Sequence, residues 1–100
     1  MLSLSTRRYA AEGGMIAAAL DDATSVTMIS GYQREFAPLS TDFHIMFHRG
    51  LQPGAARIEV KVVKLGQRSA TAEGRLFDLQ DRLIATLFHT AQPTPTASAS

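Results

Sequence analysis

The sequence predicts an α+β domain, an antiparallel sheet wrapped around one central helix at about residues 14–30. Three observations carry that expectation. An apolar run near the start keeps three- and four-residue spacing, the pattern of a helix buried along one stripe. After it the period falls to two, as in strands with one buried face. Short turn-forming segments then separate three alternating runs, which is the pattern of an antiparallel meander.

Taken in order, residues 1–12 are polar and basic without a clear period. From Gly13 a helix is expected, with Ile16, Leu20, Ala23, Thr27 and Ser30 on one side and Ala19 and Val26 widening the stripe. Gly31 is its expected stop. Beyond "ISGYQREFAP", Phe43, Ile45 and Phe47 alternate with Asp42, His44, Met46 and His48. "LQPG" at 51–54 is a turn, since proline and glycine each supply a turn dihedral. "RIEVKVV" at 57–63 is the clearest strand, with Ile58, Val60 and Val62 facing one way. "KLGQR" turns it back into a strand over Ser69–Phe77, in which Ala70, Ala72 and Gly74 alternate with Thr71, Glu73 and Arg75. "DLQDR" turns again, and Leu83–His89 closes a sheet in which four strands are visible. The domain is thus expected over residues 13–91, after a short polar segment (1–12) and before a Pro/Ser/Thr/Ala-rich tail (92–100) read as disordered.

Composition narrows the function. One hundred residues make one domain, and a chain this short gains from burying surface against a second chain. A net charge of +1 gives no field that argues for nucleic acid or an anionic membrane, so neither is an expected partner. With no cysteine, disulfides, thiolate zinc sites and a cysteine nucleophile are excluded. The apolar run Gly13–Leu20 is too short to span a bilayer. "STRRYA" carries a paired arginine, but the hydrophobic stretch after it ends at Asp21-Asp22 and no cleavage site follows, so the expected location is cytoplasmic. His44 and His48 lie four residues apart on one strand, about 13 Å, too far to share a metal ion, and no metal is expected.

An ordered series of short motifs then resembles the hotdog-fold thioesterases, specifically the phenylacetate-pathway type within the 4-hydroxybenzoyl-CoA thioesterase group. The series is Gly13-Gly14, Leu20-Asp21-Asp22-Ala23, Ser40-Thr41-Asp42, Phe47-His48-Arg49, Pro53-Gly54, Val62 through Arg68, and Arg82-Leu83-Ile84-Ala85 through Thr90. Any one piece is weak; the order is what is specific. Two departures stand out: Glu12 occupies the position where the family usually has histidine, and the N-terminal helix and strand or strands that members carry before the glycine pair are missing.

The resemblance implies an acyl-CoA thioesterase, with coenzyme A as part of the substrate and no separate cofactor. Asp21 aligns with the catalytic carboxylate, acting as general base for water or as nucleophile. Pattern alone reads Asp21 differently, as a surface aspartate roughly 100° from the stripe centred near Leu20; the alignment reverses that. Gly13 and Gly14 open the helix, where unpartnered N–H groups and the positive end of the macrodipole can polarise a carbonyl, although such glycines also simply mark a bend. Ser40 matches the hydroxyl that sits near the attacking water, with Thr41 next in line. Arg49, Lys64, Gly66 and Arg68 are the candidates for holding coenzyme A, or else a solvated sheet edge. Asp22 is read as solvated or structural.

Geometry adds one inference. Gly14 and Asp21 are seven residues apart, about 10 Å of helical rise, so one thioester carbonyl cannot reach both on a single chain. Active sites across the interface of a homodimer or homotetramer are therefore expected, as the family resemblance also implies. The competing reading is a hotdog protein that binds acyl-CoA without turnover, or a truncated one, which Glu12 and the short front favour.

Overall fold

The computed structural model describes residues 2–9, 13–50 and 54–96, in which one helix packs on a five-stranded antiparallel sheet. In chain order the elements are β1 (Leu2–Tyr9), α1 (Gly13–Gly31), β2 (Phe36–Phe47), β3 (Gly54–Leu65), β4 (Ala70–Phe77) and β5 (Leu83–Pro95). Strand order is β1-β3-β4-β5-β2. The meander expected from the sequence is β3–β4–β5, while β1 and β2 form the two edges. Every strand touches α1, so the helix is wrapped as expected.

Both ends of the chain carry more sheet than the sequence suggests. Leu2–Tyr9 pairs with β3, making five strands where the alternation reveals four. An edge strand is held by backbone pairing and needs no two-residue period to form. β5 runs past His89 to Pro95, so residues 92–95 are strand and not disordered tail. Its partner β4 reaches only Ala91, and beyond that point β5 pairs with β2 alone. One side is then free of the ladder, where the missing N–H of Pro93 and Pro95 is tolerated. Of the expected turn at 51–54, Gly54 opens β3, while residues 51–53, Glu12, and residues 97–100 of the expected tail lie outside the described residues.

Along α1 the buried positions are Ile16, Ala19, Leu20, Ala23, Thr24, Thr27 and Met28. Val26, expected in the stripe, is 59% exposed, and Ser30 is exposed too. Six residues from Leu20, Val26 sits about 120° around the helix, and Met28 takes the place on the inner face. The helix ends at Gly31 as expected, but the glycine is not the left-handed cap. The stop is a Schellman motif in which Gln33 N–H donates to Ser30 O and Arg34 N–H to Ile29 O, with Gln33 at φ 56°. Gly31 instead makes room for β3: a Cβ there would lie 2.5 Å from Leu65 Cδ1.

Gly74 does the same at the centre of the sheet. A Cβ on it would meet Leu20 Cδ2 and Thr24 Cγ2, both at 3.1 Å. Together with buried Ala70 and Ala72 it lets α1 settle close to β4, over a core of Leu20, Met28, Val60, Leu76, Ile84 and Leu87. At the other end of that strand, the predicted "DLQDR" turn is organised by Asp78. Its Oδ1 accepts from the Gln80 and Arg82 N–H groups, each at 2.9 Å, and its Oδ2 from Arg82 Nε at 2.7 Å.

Candidate active site

Asp21 lies half-buried on α1, on the side that faces β2. It lines a cleft of about 240 Å³ with Ala17, Ala18, Phe43, Ile45 and Leu87, and is the only ionisable group among them. Ser25, one turn on, donates from Oγ to Asp21 Oδ1 at 3.2 Å. The neighbouring Asp22 is exposed. The 100° offset between the two side chains is what separates a cleft residue from a solvated one.

Ser40 reaches the same region from β2, and a bulge is the reason. Ser40 pairs with Ala91 and Asp42 with Thr90, leaving Thr41 as the extra residue between them. Without it, Ser40 and Phe43 would face opposite sides of the strand, because side chains alternate. With it, both turn toward His89: Ser40 Oγ lies 2.8 Å from His89 Nε2, and the Phe43 ring lies over the imidazole at a centroid distance of 4.4 Å. Thr41, the other hydroxyl considered for this position, donates instead to Thr90 O.

His89 is fully buried, and the sequence reading passes it over while weighing His44 and His48. Its other ring nitrogen, Nδ1, is 2.9 Å from Thr24 Oγ1 on α1. Burial pushes its pKa below the ordinary histidine value, with the charge of Asp21 acting in the opposite direction. The signal in the sequence was parity: Leu87 faces the core, so His89 two residues on must face it too, and a buried imidazole needs partners. His44 and His48 are exposed, and His48 Nε2 lies 3.1 Å from Thr86 Oγ1.

The remaining sequence candidates fall into three places. Gly13 and Gly14 are the first residues of α1, so their N–H groups belong to its unpartnered first turn. Lys64, Gly66 and Arg68 gather at the β3–β4 turn, where Gly66 N–H donates to Ser69 O and Gly66 O accepts from Tyr32 at 2.6 Å. Arg49 follows β2 at the opposite end of the sheet, with its N–H on Ile84 O. The β4 residues level with these two ends are Ala70 and Leu76, about 20 Å apart, so Arg49 does not join the others within one chain.

A family model described as the thioesterase superfamily matches residues 12–85. The chain belongs to that superfamily. Its fold is the hotdog fold expected from the motif series, and solved structures agree. A phenylacetic acid degradation-related protein from Ralstonia eutropha superposes with TM-score 0.80 at 23% identity, over 90% of this chain and 75% of that one. A Streptococcus mutans protein bound to acetyl CoA gives TM-score 0.82 at 17% identity, over 91% and 79%. A Streptococcus pneumoniae hypothetical thioesterase with coenzyme A gives 0.81 at 14%, also over 91% and 79%. The comparison with curated proteins returned no match. No described helix is long and apolar enough to cross a membrane.

Proposed function

We propose that this superfamily member hydrolyses the thioester of an acyl- or aryl-CoA, with Asp21 activating water. The observation that carries this is a single carboxylate among the described residues of an otherwise apolar cleft, one wall of which, Phe43, also covers the buried histidine that holds the Ser40 hydroxyl. Superfamily membership and the coenzyme A carried by two similar structures support the substrate class.

In this reading the attacking water gives a proton to the Asp21 carboxylate as its oxygen bonds to the thioester carbon. The carbonyl becomes an oxyanion, received by N–H groups at the Gly13-Gly14 start of a helix. As the carbonyl re-forms the C–S bond breaks, and the thiolate takes the proton back from Asp21 as it leaves. Ser40 holds the water. Asp22, solvated, takes no part.

The glycines and Asp21 lie along one helix about 10 Å apart, so each site combines the glycines of one chain with the carboxylate of another, in a homodimer or homotetramer. Lys64 and Arg68 would meet coenzyme A phosphates, and Arg49 would join them only from a second chain. The cytoplasm, where acyl-CoA is met, is the proposed location.

Replacing Asp21 with Asn should lower thiol release from a panel of aryl- and fatty-acyl-CoA esters by about 10²–10⁴-fold while leaving the oligomer intact. Unchanged turnover would overturn the assignment. Glu12, standing where relatives have histidine, favours a second reading of binding without turnover. Calorimetric binding of a non-hydrolysable acyl-CoA by a chain that releases no thiol would establish it.

A further inference from the structure

We propose that His89 is a positioning residue: it takes the Ser40 hydroxyl proton into the core, so that Ser40 faces the attacking water only as a hydrogen-bond acceptor. The role in hydrolysis rests on the thioesterase reading above; the direction of the hydrogen bonds rests on the geometry and on the full burial that keeps the ring neutral.

The direction follows from counting protons. Thr24 Oγ1 has one, and lies 2.8 Å from Leu20 O and 3.1 Å from Asp21 O. Carbonyl oxygens can only accept. Were the Thr24 proton turned to His89, bare lone pairs would face each other across both of those distances. The proton therefore goes to the helix carbonyls, and the 2.9 Å contact is His89 Nδ1–H donating to Thr24 Oγ1. A neutral imidazole carries a single N–H, so Nε2 is bare. At 2.8 Å from Ser40 Oγ it must accept the serine proton, since two lone pairs would otherwise meet again. The chain of donors runs Ser40, His89, Thr24, Leu20 carbonyl.

Ser40 is exposed on its other side, so its lone pairs remain open there. A water held between Asp21 and Ser40 then donates one hydrogen to each, leaving its own lone pair for the thioester carbon. A serine that donated to the water would occupy that lone pair and blunt the attack. The Ser–His contact also invites a serine nucleophile, but that needs a charge on the ring in the transition state. Here the ring is fully buried and its Nδ1 partner is a neutral hydroxyl, in place of the carboxylate of a catalytic triad. The serine keeps its proton.

The test has a spectroscopic and a kinetic arm. In a His44→Gln/His48→Gln protein His89 is the sole histidine. Its ¹⁵N ring spectrum at neutral pH should show Nδ1 protonated and Nε2 bare, and Ser40→Ala should move the Nε2 resonance while Nδ1 stays protonated. A ring protonated at Nε2 overturns the proposal. In thiol-release kinetics, His89→Asn and His89→Gln should lower kcat by up to about 10²-fold with KM little changed, and should add little further loss once Ser40 is alanine. An equal additional loss in the Ser40→Ala background, or an acyl group found on Ser40 by mass spectrometry during turnover, also overturns it. A wild-type chain that turns over no thioester removes the hydrolysis reading alone, and the ring spectrum still decides where the proton lies.

Discussion

Adding one methyl group at Gly74 tests whether the helix, the sheet and the Thr24–His89 contact are one packed unit. A Cβ at this position would stand 3.1 Å from Leu20 Cδ2 and from Thr24 Cγ2, where ordinary carbon–carbon contact is about 3.5–4.0 Å. The leucine methyl can turn a little. Thr24 cannot, because it is β-branched and its hydroxyl is tied to Leu20 O and to His89. Overpacking of this kind costs about 1–3 kcal/mol. Restricting the unfolded chain by Gly→Ala returns about 0.4–1 kcal/mol. Gly74→Ala should therefore be destabilised by about 1 kcal/mol or somewhat more, a fall in Tm of about 4–8 °C per kcal/mol for a domain of this size. Thr24→Ser removes Cγ2 and keeps Oγ1, so in that background the cost of Gly74→Ala should shrink by at least about 0.5 kcal/mol. Urea titrations of the four proteins at one protomer concentration supply the cycle. If the two substitutions are additive, Thr24 is not what Gly74 accommodates, and the argument that the glycine seats the histidine's partner is refuted.

Gln33→Gly should stabilise the chain by up to about 1 kcal/mol in the same titration, because Gln33 holds the left-handed cap at φ 56° that glycine adopts without strain. His89 has a folded-state pKa below its unfolded value, so below about pH 6.5 the unfolded chain binds its proton first. The stability associated with it is complete above that pH and should fall as the pH drops from there through the folded value. Urea midpoints measured from pH 8 to 5 should show the decline, and His89→Gln should flatten it. Asp78 is held below its ordinary value: burial opposes this, but the Arg82 and Gln80 N–H groups and the Arg82 side chain outweigh it. Its contribution is present above the unfolded value and lost as pH falls through the folded one. Asp78→Asn should therefore be less stable at neutral pH and lose that part of the acid-limb slope.

How much of this was legible depends on whether a residue's role is local. The helix announced itself because Ile16, Leu20, Ala23 and Thr27 repeat at its own period, and β3–β4–β5 because their alternation is broken by turn residues such as Asp78. β1 left no such mark, since an edge strand is specified by the neighbour it pairs with, and here that neighbour is β3, some fifty residues away. Asp21 and Ser40 were legible only through a family pattern. Helical angle alone put Asp21 off the buried stripe, which is where it lies: it faces a cleft and not the core. His89 carried a parity signal, but nothing in the sequence pairs it with Thr24, 65 residues earlier, or with Ser40, 49 residues earlier.

The bulge at Thr41 ties these observations together. Register across β2 and β5 is regular from Phe47 to Asp42 and again from Ser40 to Phe36, and the one inserted residue shifts the parity between the two halves. The half bearing Phe43 and Ile45 helps form the cleft that Asp21 lines; the other half, through Ser40, reaches the ring that Phe43 covers. A regular strand offers one of these or the other, since residues three apart point to opposite faces. An edge strand can accept the insertion because only one neighbour, β5, has to absorb the break in the ladder. That the polar group it delivers meets a buried imidazole already anchored to the helix gives the bulge a chemical consequence: the hydroxyl arrives with its proton committed inward. The carboxylate on α1 and the hydroxyl on β2 are thus brought to one region by a single extra residue.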